Sequence, residues 1–318
     1  MFKNKFQVKT NLEEELDKID NKKSIKKLID PKNYLILPGK DHGAYEYPDT
    51  LISLKPWNYK KIMSVCKKIP KLNKLHDKME NEFYESKQFG MVSAPNNISW
   101  NKAFFILKSL EKTIFEGDHH FMLTPRQYID LIHLVDSEQK LFDGNGKKLS
   151  FLKKRQIKKS FFKKAGTYGW QVTFDTEWMD AKFVKKDNLT YIEYEHKYNG
   201  DILIPKYSEP LEDNYNNDPT AIQRTSYCSR INNLFRTANH QGYPTKKTQV
   251  DETNTYITNN KIFTITPNLI VNDLLEFKEH IAILVKNHGY KFTWELEQIN
   301  NPNRSLSNFY SIRPAKIK

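Results

Sequence analysis

Asp175-Thr176-Glu177 sets two carboxylates one residue apart in a stretch that reads as a β-strand. Alternation puts both on one side of that strand, where a metal-dependent nuclease would use them to hold Mg²⁺. Such chemistry needs two further acids in register, and Asp213, Asp218 and Asp251 stand at no spacing that supplies them. His119-His120 adjoins Asp118, and His42 follows Asp41. Adjacent imidazoles can bind a metal, but no third or fourth ligand stands at a recognisable interval, so these histidines are expected in exposed loops. Cys66 and Cys228 are far apart in the sequence and read as small buried apolar side chains in a reducing compartment. The chain has no Gly-rich phosphate loop, no Gly-x-Ser-x-Gly elbow and no His-Glu-x-x-His helix. The reading is therefore of no catalytic set, no metal and no cofactor.

Two segments could bind a partner. Residues 147–164, KKLSFLKKRQIKKSFFKK, contain no acid. Lys153, Lys154, Arg155, Lys158 and Lys159 are the candidate contacts to a phosphate backbone, with Phe151, Phe161 and Phe162 interleaved. The cations recur so as to spread around a helix instead of along one face, which favours a solvated helix held down by Leu149, Leu152, Ile157 and Phe161. The second segment is the Asn-rich stretch 298–308, framed by Trp294, Phe309 and Tyr310. Tyr and Trp give large rigid contacts while Asn and Ser give adaptable hydrogen bonds, a mixture typical of recognition surfaces. Tyr290, Trp294, Asn303, Arg304, Asn308 and Tyr310 form the candidate rim for a macromolecular partner.

These residues need elements to position them. Residues 11–29 read as a charged helix with Asn11 as cap and acids in its first turn. Residues 34–37 read as a strand, a second strand falls near Leu51-Ile52, and 57–87 reads as mostly helical, with Pro70 interrupting. Residues 91–93 are extended. Ser99 caps a helix with Trp100, Phe104, Leu107 and Leu110 at helical spacing. Thr124-Pro125 opens a second helix carrying Tyr128, Leu131, Ile132 and Val135. Strands are expected at 170–174 and 180–184, and a hairpin over 190–198 and 202–204 around Asn199-Gly200. Beyond lie a helix near 231–237, a strand at 262–265, a helix over 272–287, and strands at 292–296 and 309–312.

The stretch NNISWNKAFFILKSL…HHFMLTPRQYIDLIHLV resembles the C-type-lectin branch shared by formylglycine-generating-enzyme-like proteins. FDTEWMDAKF, YNGDILIPKYSEPLED and ANHQGYP are similar to one subgroup, the variable proteins of diversity-generating retroelements of archaea, their viruses and phages. NPNRSLSNFYSIRPAKIK resembles that family's close, a variable Asn/Ser-rich loop before a G-V-R-P-A strand, with Tyr310 and Ile312 where the family has Gly and Val. The likeness covers 91–245 and 302–318. It implies an α+β, C-type-lectin-like fold: a twisted, mainly antiparallel sheet flanked by two helices, with long loop insertions and the C-terminal strand inside the sheet. Without a cysteine pair near the terminus, the copper-binding residues of the oxidase members have no counterparts here.

At 318 residues the chain can bury a core without disulfide or metal staples. Its composition, 38% hydrophobic and 28% charged, is that of a folded domain, and no apolar run is long enough to span a membrane. Residues 1–30 are expected to form a charged arm and 31–318 one domain with a basic insertion at 147–166. The net charge of +13 favours anionic partners but accompanies Lys- and Asn-heavy usage along the whole chain. The sequence reading is of a non-enzymatic binding or structural protein, made in the cytoplasm without a signal peptide. It is compatible with a virion component or host-recognition protein whose partner is a protein or other macromolecule. A basic nucleic-acid-binding protein is the alternative, and a nuclease using Asp175 and Glu177 is third.

Overall fold

The computed structural model describes residues 30–42, 45–67, 98–111, 118–137, 140–161, 166–168, 171–186, 189–200, 202–210, 255–258, 261–264, 280–287, 291–298 and 308–318. The expected helices at 11–29 and 231–237 and the extended residues 91–93 lie outside these, as does the expected helix beyond residue 67.

Asp30 accepts from the Lys32 backbone N–H at 2.9 Å and caps a 3-10 turn, Pro31–Asn33, that leads into β1 (Tyr34–Leu37). Apolar side chains at all four positions bury β1 on both faces: Leu35 and Leu37 enter the main core, Tyr34 and Ile36 a smaller cluster with Leu51. A two-stranded ribbon, β2 (Lys40–Asp41) and β3 (Glu46–Tyr47), follows. Then β4 (Thr50–Ser53) pairs antiparallel with β1. The free edge of β4 takes the last strand of the chain, β15 (Ala315–Ile317), with Ala315 opposite Ile52. Both ends of the described chain thus meet in one three-stranded sheet.

The large sheet is organised by β7 (Gln171–Lys186), a single strand of 16 residues. The two strands expected at 170–174 and 180–184 are one, because Thr176-Glu177-Trp178 continues the extended chain between them. On one side β7 pairs antiparallel with β12 (His280–Asn287), which pairs with β13 (Lys291–Gln298). Beyond β13 run β11 (Lys261–Thr264) and β10 (Thr255–Thr258). On the other side β14 (Asn308–Ile312) runs parallel to β7 and is closed by β5 (Trp57–Asn58). The short β6 (Gly166–Tyr168) pairs with the start of β7, and the hairpin β8 (Leu189–Asn199) and β9 (Ile202–Pro210) pairs with its end. Gly200 turns that hairpin at φ 63°, a conformation open to glycine. The architecture is α+β with antiparallel and mixed sheets.

One expected helix is overturned. Residues 280–287 are strand β12, hydrogen-bonded along both edges, and 272–279 lie outside the described residues. Ile281, Ile283 and Val285 are β-branched at alternate positions, and the pairing with β7 and β13 overrides the local helical reading.

Among the described residues four helices dress the sheets: α1 (Tyr59–Cys66), α2 (Trp100–Glu111), α3 (Pro125–Asp136) and α4 (Phe151–Phe161). Thr124 and Gln127 form a reciprocal capping box at the head of α3, with Pro125 in its first turn. Alternate residues of β7 serve different cores. Trp178 joins the cluster of Trp100, Phe104, Leu107 and Leu110 from α2, while Met179, Ala181 and Phe183 join that of Leu131, Ile132 and Val135 from α3. The two helices therefore bury their apolar faces against opposite sides of this strand. Reciprocal indole bonds tie α2 to β7: Trp100 Nε1–H donates to the Met179 carbonyl at 2.8 Å, and Trp178 Nε1–H donates to the Ile98 carbonyl.

Helix α4 is the basic segment. Leu149, Ile157 and Phe161 are buried in the main core as expected, so the segment's apolar side is part of the domain's packing. Leu152 is the correction: it is 70% exposed, and Phe151 is 76% exposed. Five residues before Ile157 amounts to roughly 140° of helical rotation, which turns Leu152 off the buried face.

Candidate functional site

The β7–β8 ladder stops at Ala181 opposite Tyr194. The next residue of β8, Glu195, has φ 54°, an uncommon backbone conformation for a residue with a Cβ. His196 follows, and the carboxylate of Asp180 takes the place of the missing ladder bond: its oxygens accept from the His196 backbone N–H at 3.2 and 3.0 Å. The same carboxylate meets His196 Nδ1 at 2.6 Å. Both side chains are buried, and the imidazole stands edge-on to Trp100, with ring centroids 5.0 Å apart. Nε2 of His196 lies 3.9 Å from Glu193 Oε2, beyond hydrogen-bonding distance, and has no hydrogen-bond partner among the described residues.

Glu193 is itself compensated by Lys182 at 3.2 Å and Lys186 at 2.5 Å. Burial works against its charge, but His196, Lys186 and Lys182 outweigh burial and hold the carboxyl at about 2. Burial also works against a charged His196, yet the Asp180 charge and hydrogen bond, with help from Glu193, raise its pKa above the ordinary histidine value. A cleft of about 210 Å³ opens between α2 and β8 at this point. Phe104, Leu107 and Tyr198 line it with apolar surface, and Lys108, His119 and His196 bring polar groups.

The sequence-nominated histidines fall in different places. His119 is exposed and bonds Glu111 at 3.2 Å. His120 is not an exposed loop residue: it is buried, with Nδ1 3.0 Å from the Asp118 carbonyl. His42 also departs from expectation, being only 15% exposed and bonded to Asp130 at 2.8 Å. Asp130 further accepts from Lys40 at 2.7 Å and from the Tyr47 hydroxyl at 2.6 Å. Burial opposes the Asp130 charge, but His42, Lys40 and Tyr47 outweigh it and hold the carboxyl at about 2.

Of the Asp175 and Glu177 pair, Glu177 is buried and both its oxygens are taken by Arg313, at 2.7 and 2.6 Å. That arrangement works against a metal-holding role for the pair. Among the described residues no group of three His, Cys, Asp or Glu side chains is placed to hold a metal ion, and no helix is long and apolar enough to cross a membrane. In α4, Lys158 is spent on Asp136 at 3.2 Å and Lys153 on the Lys32 carbonyl at 3.4 Å. Lys154 is half-buried, so Arg155 and Lys159 are the exposed cations of the five candidates. The backbones of Trp294, Asn308 and Tyr310 lie in β13 and β14, whereas Tyr290, Asn303, Arg304, Asp213, Asp218, Asp251 and Cys228 lie outside the described residues.

Sequence reasoning did not nominate Asp180, Glu193 or His196. The signal was there for Asp180, which alternates with Trp178 in β7, and for His196, which alternates with Ile192 and Tyr194 in β8. Glu193 falls on the other side of β8, where alternation calls for an outward side chain. Comparison with protein families, with curated proteins and with solved structures returns no match for this chain.

The two buried histidines among the described residues, His120 and His196, make opposite demands on pH. Burial pushes His120 down from 6.5 to about 4, against the hydrogen bond its Nδ1–H donates to the Asp118 carbonyl. The unfolded chain therefore binds a proton below pH 6.5 that the folded chain refuses until about pH 4, and stability falls as pH drops through that window, by about 3 kcal/mol at its end. The raised pKa of His196 acts on the other side: its contribution is complete below the ordinary histidine value and is lost as pH rises through the folded value. Urea melts across this range are expected to show a maximum, with His120→Phe removing the acid-side loss. An acid limb unchanged in a folded His120→Phe protein overturns the assignment.

Proposed function

We propose that this chain is a non-catalytic binding protein that recognises a macromolecular partner through the Asn-rich stretch that connects β13 to β14, as a component of a virus or phage particle or of a host-recognition assembly. The observation that carries the reading is how the Asn-rich stretch is bracketed. β13 ends at Gln298 opposite Ile281 of β12, itself opposite Phe183 of β7. β14 begins at Asn308 opposite Phe174, so the brackets stand towards opposite ends of β7 and the stretch connects them along its length. Both brackets are strands of one sheet, with β12 and β7 between them. Recognition segments are characteristically carried this way, on a rigid scaffold that supplies position while the connection supplies side chains. The engagement of Glu177 with Arg313 and of Asp130 with Lys40, His42 and Tyr47 also favours structural over catalytic roles for these buried carboxylates. The resemblance to variable proteins supplies the kind of assembly.

The test is recovery of the partner from the native assembly, with Asn303→Ala and Arg304→Ala combined. Truncating such anchors is expected to cost about 2 kcal/mol or more, a loss of at least about thirtyfold in affinity. Arg155→Gln with Lys159→Gln serves as the comparison and is expected to leave recovery unchanged. Undiminished recovery by the folded first variant overturns the proposal. Loss confined to the second variant, flattening a steep salt dependence, transfers the function to α4 and nucleic acid.

A further inference from the structure

We propose that the exposed face of α4 docks on the surface of an anionic lipid bilayer. Phe151 and Leu152 enter the acyl boundary, and Lys147, Lys148, Arg155 and Lys159 lie at the level of the lipid phosphates. The inference rests on a different segment from the Asn-rich stretch and stands or falls independently of the role proposed for it.

The helix is fixed to the domain from behind, where Leu149, Ile157 and Phe161 are buried in the main core. At its head the Ser150 hydroxyl accepts from the Lys153 N–H at 3.4 Å, and the Ser150 carbonyl from the Lys154 N–H at 2.9 Å. Phe151 and Leu152 therefore stand in the first turn of a supported helix, yet they are 76% and 70% exposed. Adjacent large apolar side chains held in water on a rigid element mark an interaction surface. The face they open is continuous. At 100° per residue Phe151, Leu152, Arg155, Gln156 and Lys159 fall within an arc of about 140°, and all five are exposed. Lys147 and Lys148, exposed on the approach to the helix, precede the apolar pair as Arg155 and Lys159 follow it.

Charge decides the class of partner. Residues 147–164 contain no acid, and no carboxylate among the described residues pairs with Lys147, Lys148, Arg155 or Lys159. A second copy of the chain meeting this face with its own sets cations against cations, so the occupant is an anionic surface of another kind. Phe151 and Leu152 then decide between anions. A phosphodiester backbone is held by cations alone, and a leucine offers no π face on which a base can stack. An anionic bilayer takes both halves of the face: its acyl region accepts the apolar pair, and its headgroups attract the cations on either side. Side chains this exposed project from the surface, which suits a deformable medium. Apolar insertion and a basic cluster are each marginal alone, and together they give stable attachment.

The experiment sediments the full chain with vesicles of phosphatidylcholine mixed with phosphatidylserine, and with vesicles of phosphatidylcholine alone. A single-stranded oligonucleotide is titrated separately. The chain is expected to sediment with the mixed vesicles, and to bind the neutral ones about tenfold or more weakly. Phe151→Ser with Leu152→Ser keeps every charge and is expected to weaken binding to the mixed vesicles by about tenfold or more. Arg155→Gln with Lys159→Gln is expected to do the same, at about fivefold for each cation. The Asn303→Ala, Arg304→Ala protein is expected to bind the vesicles unchanged. No sedimentation with the mixed vesicles overturns the docking. Undiminished binding by the folded serine variant makes the attachment one of net charge alone and overturns it as well. Equal binding to the two kinds of vesicle overturns the cationic half of the face. Oligonucleotide binding that both paired variants lose, without binding to vesicles, gives the face to nucleic acid. Should the serine variant fail to fold, Phe151→Trp reads insertion directly, and emission quenched by brominated lipid no further than in the unmodified chain overturns the proposal.

Discussion

Deleting residues 309–318 is expected to abolish folding. These ten residues carry most of β14, which is internal to the large sheet, and all of β15, an edge strand of the small sheet that is bridged on its other side to Phe121. β14 lies between β7 and β5, so its removal opens the large sheet next to its longest strand. β15 completes the small sheet on β4, and Ala315 also exchanges backbone bonds of 2.8 and 2.9 Å with Phe121 at the approach to α3. The Ser53 N–H donates to the Pro314 carbonyl at 2.9 Å, and the Ser311 hydroxyl to the Thr176 carbonyl at 2.8 Å. Ile312 and Ala315 are fully buried, one in each main core cluster. A buried backbone group left without its partner costs about 1–3 kcal/mol, and several are orphaned at once. Their sum is comparable to the roughly 5–15 kcal/mol by which domains of ordinary size are stable, and the lost burial of Ile312 and Ala315 adds to it. Circular dichroism and thermal melts of the truncated chain read the outcome, and a soluble truncation with an unchanged melting temperature refutes the account.

Much of this fold was legible wherever local chemistry dictates it. Thr124-Pro125 with Gln127 announces the start of α3, Ser99 before Trp100 the start of α2, and Gly200 the turn of the β8–β9 hairpin. The place of β14 beside β7 was legible only through the resemblance, since no periodicity in 309–312 names a partner strand. β12 was misread because an apolar run such as Ile281 to Val285 suits either state until neighbouring strands decide it. The candidate site was least legible. Asp180 and His196 are 16 residues apart on two strands, and their contact depends on where the ladder ends and on a positive φ at Glu195. The Asp130 cluster is less legible still, since Lys40, His42 and Tyr47 reach it across more than 80 residues of sequence.

The second large effect belongs to Arg313. Its Nε and terminal nitrogen hold Glu177 bidentately, its other terminal nitrogen donates to the Ser53 carbonyl at 2.9 Å, and its guanidinium sits 4.4 Å from the centre of the Phe161 ring. One side chain thereby joins β7, the end of β4 and α4. Both ends of the ion pair are buried, so the pair's attraction is offset by what it costs to remove two charges from water. Arg313→Met leaves the Glu177 carboxylate buried and uncompensated, and is expected to lower stability by about 3–5 kcal/mol. Arg313→Lys is expected to recover only part of this, because an ammonium cannot reproduce the fork to both carboxylate oxygens and the carbonyl. The informative variant is the double, Arg313→Met with Glu177→Met. If the penalty of the single change comes from the stranded charge, removing that charge restores most of the loss, and the double protein is more stable than Arg313→Met alone. If instead the guanidinium stabilises chiefly through Phe161 and Ser53, the second substitution adds its own cost and the double protein is the least stable of the three. Urea denaturation of the four proteins in the cycle separates these outcomes, and only the first agrees with Glu177 as a structural acid held by its arginine.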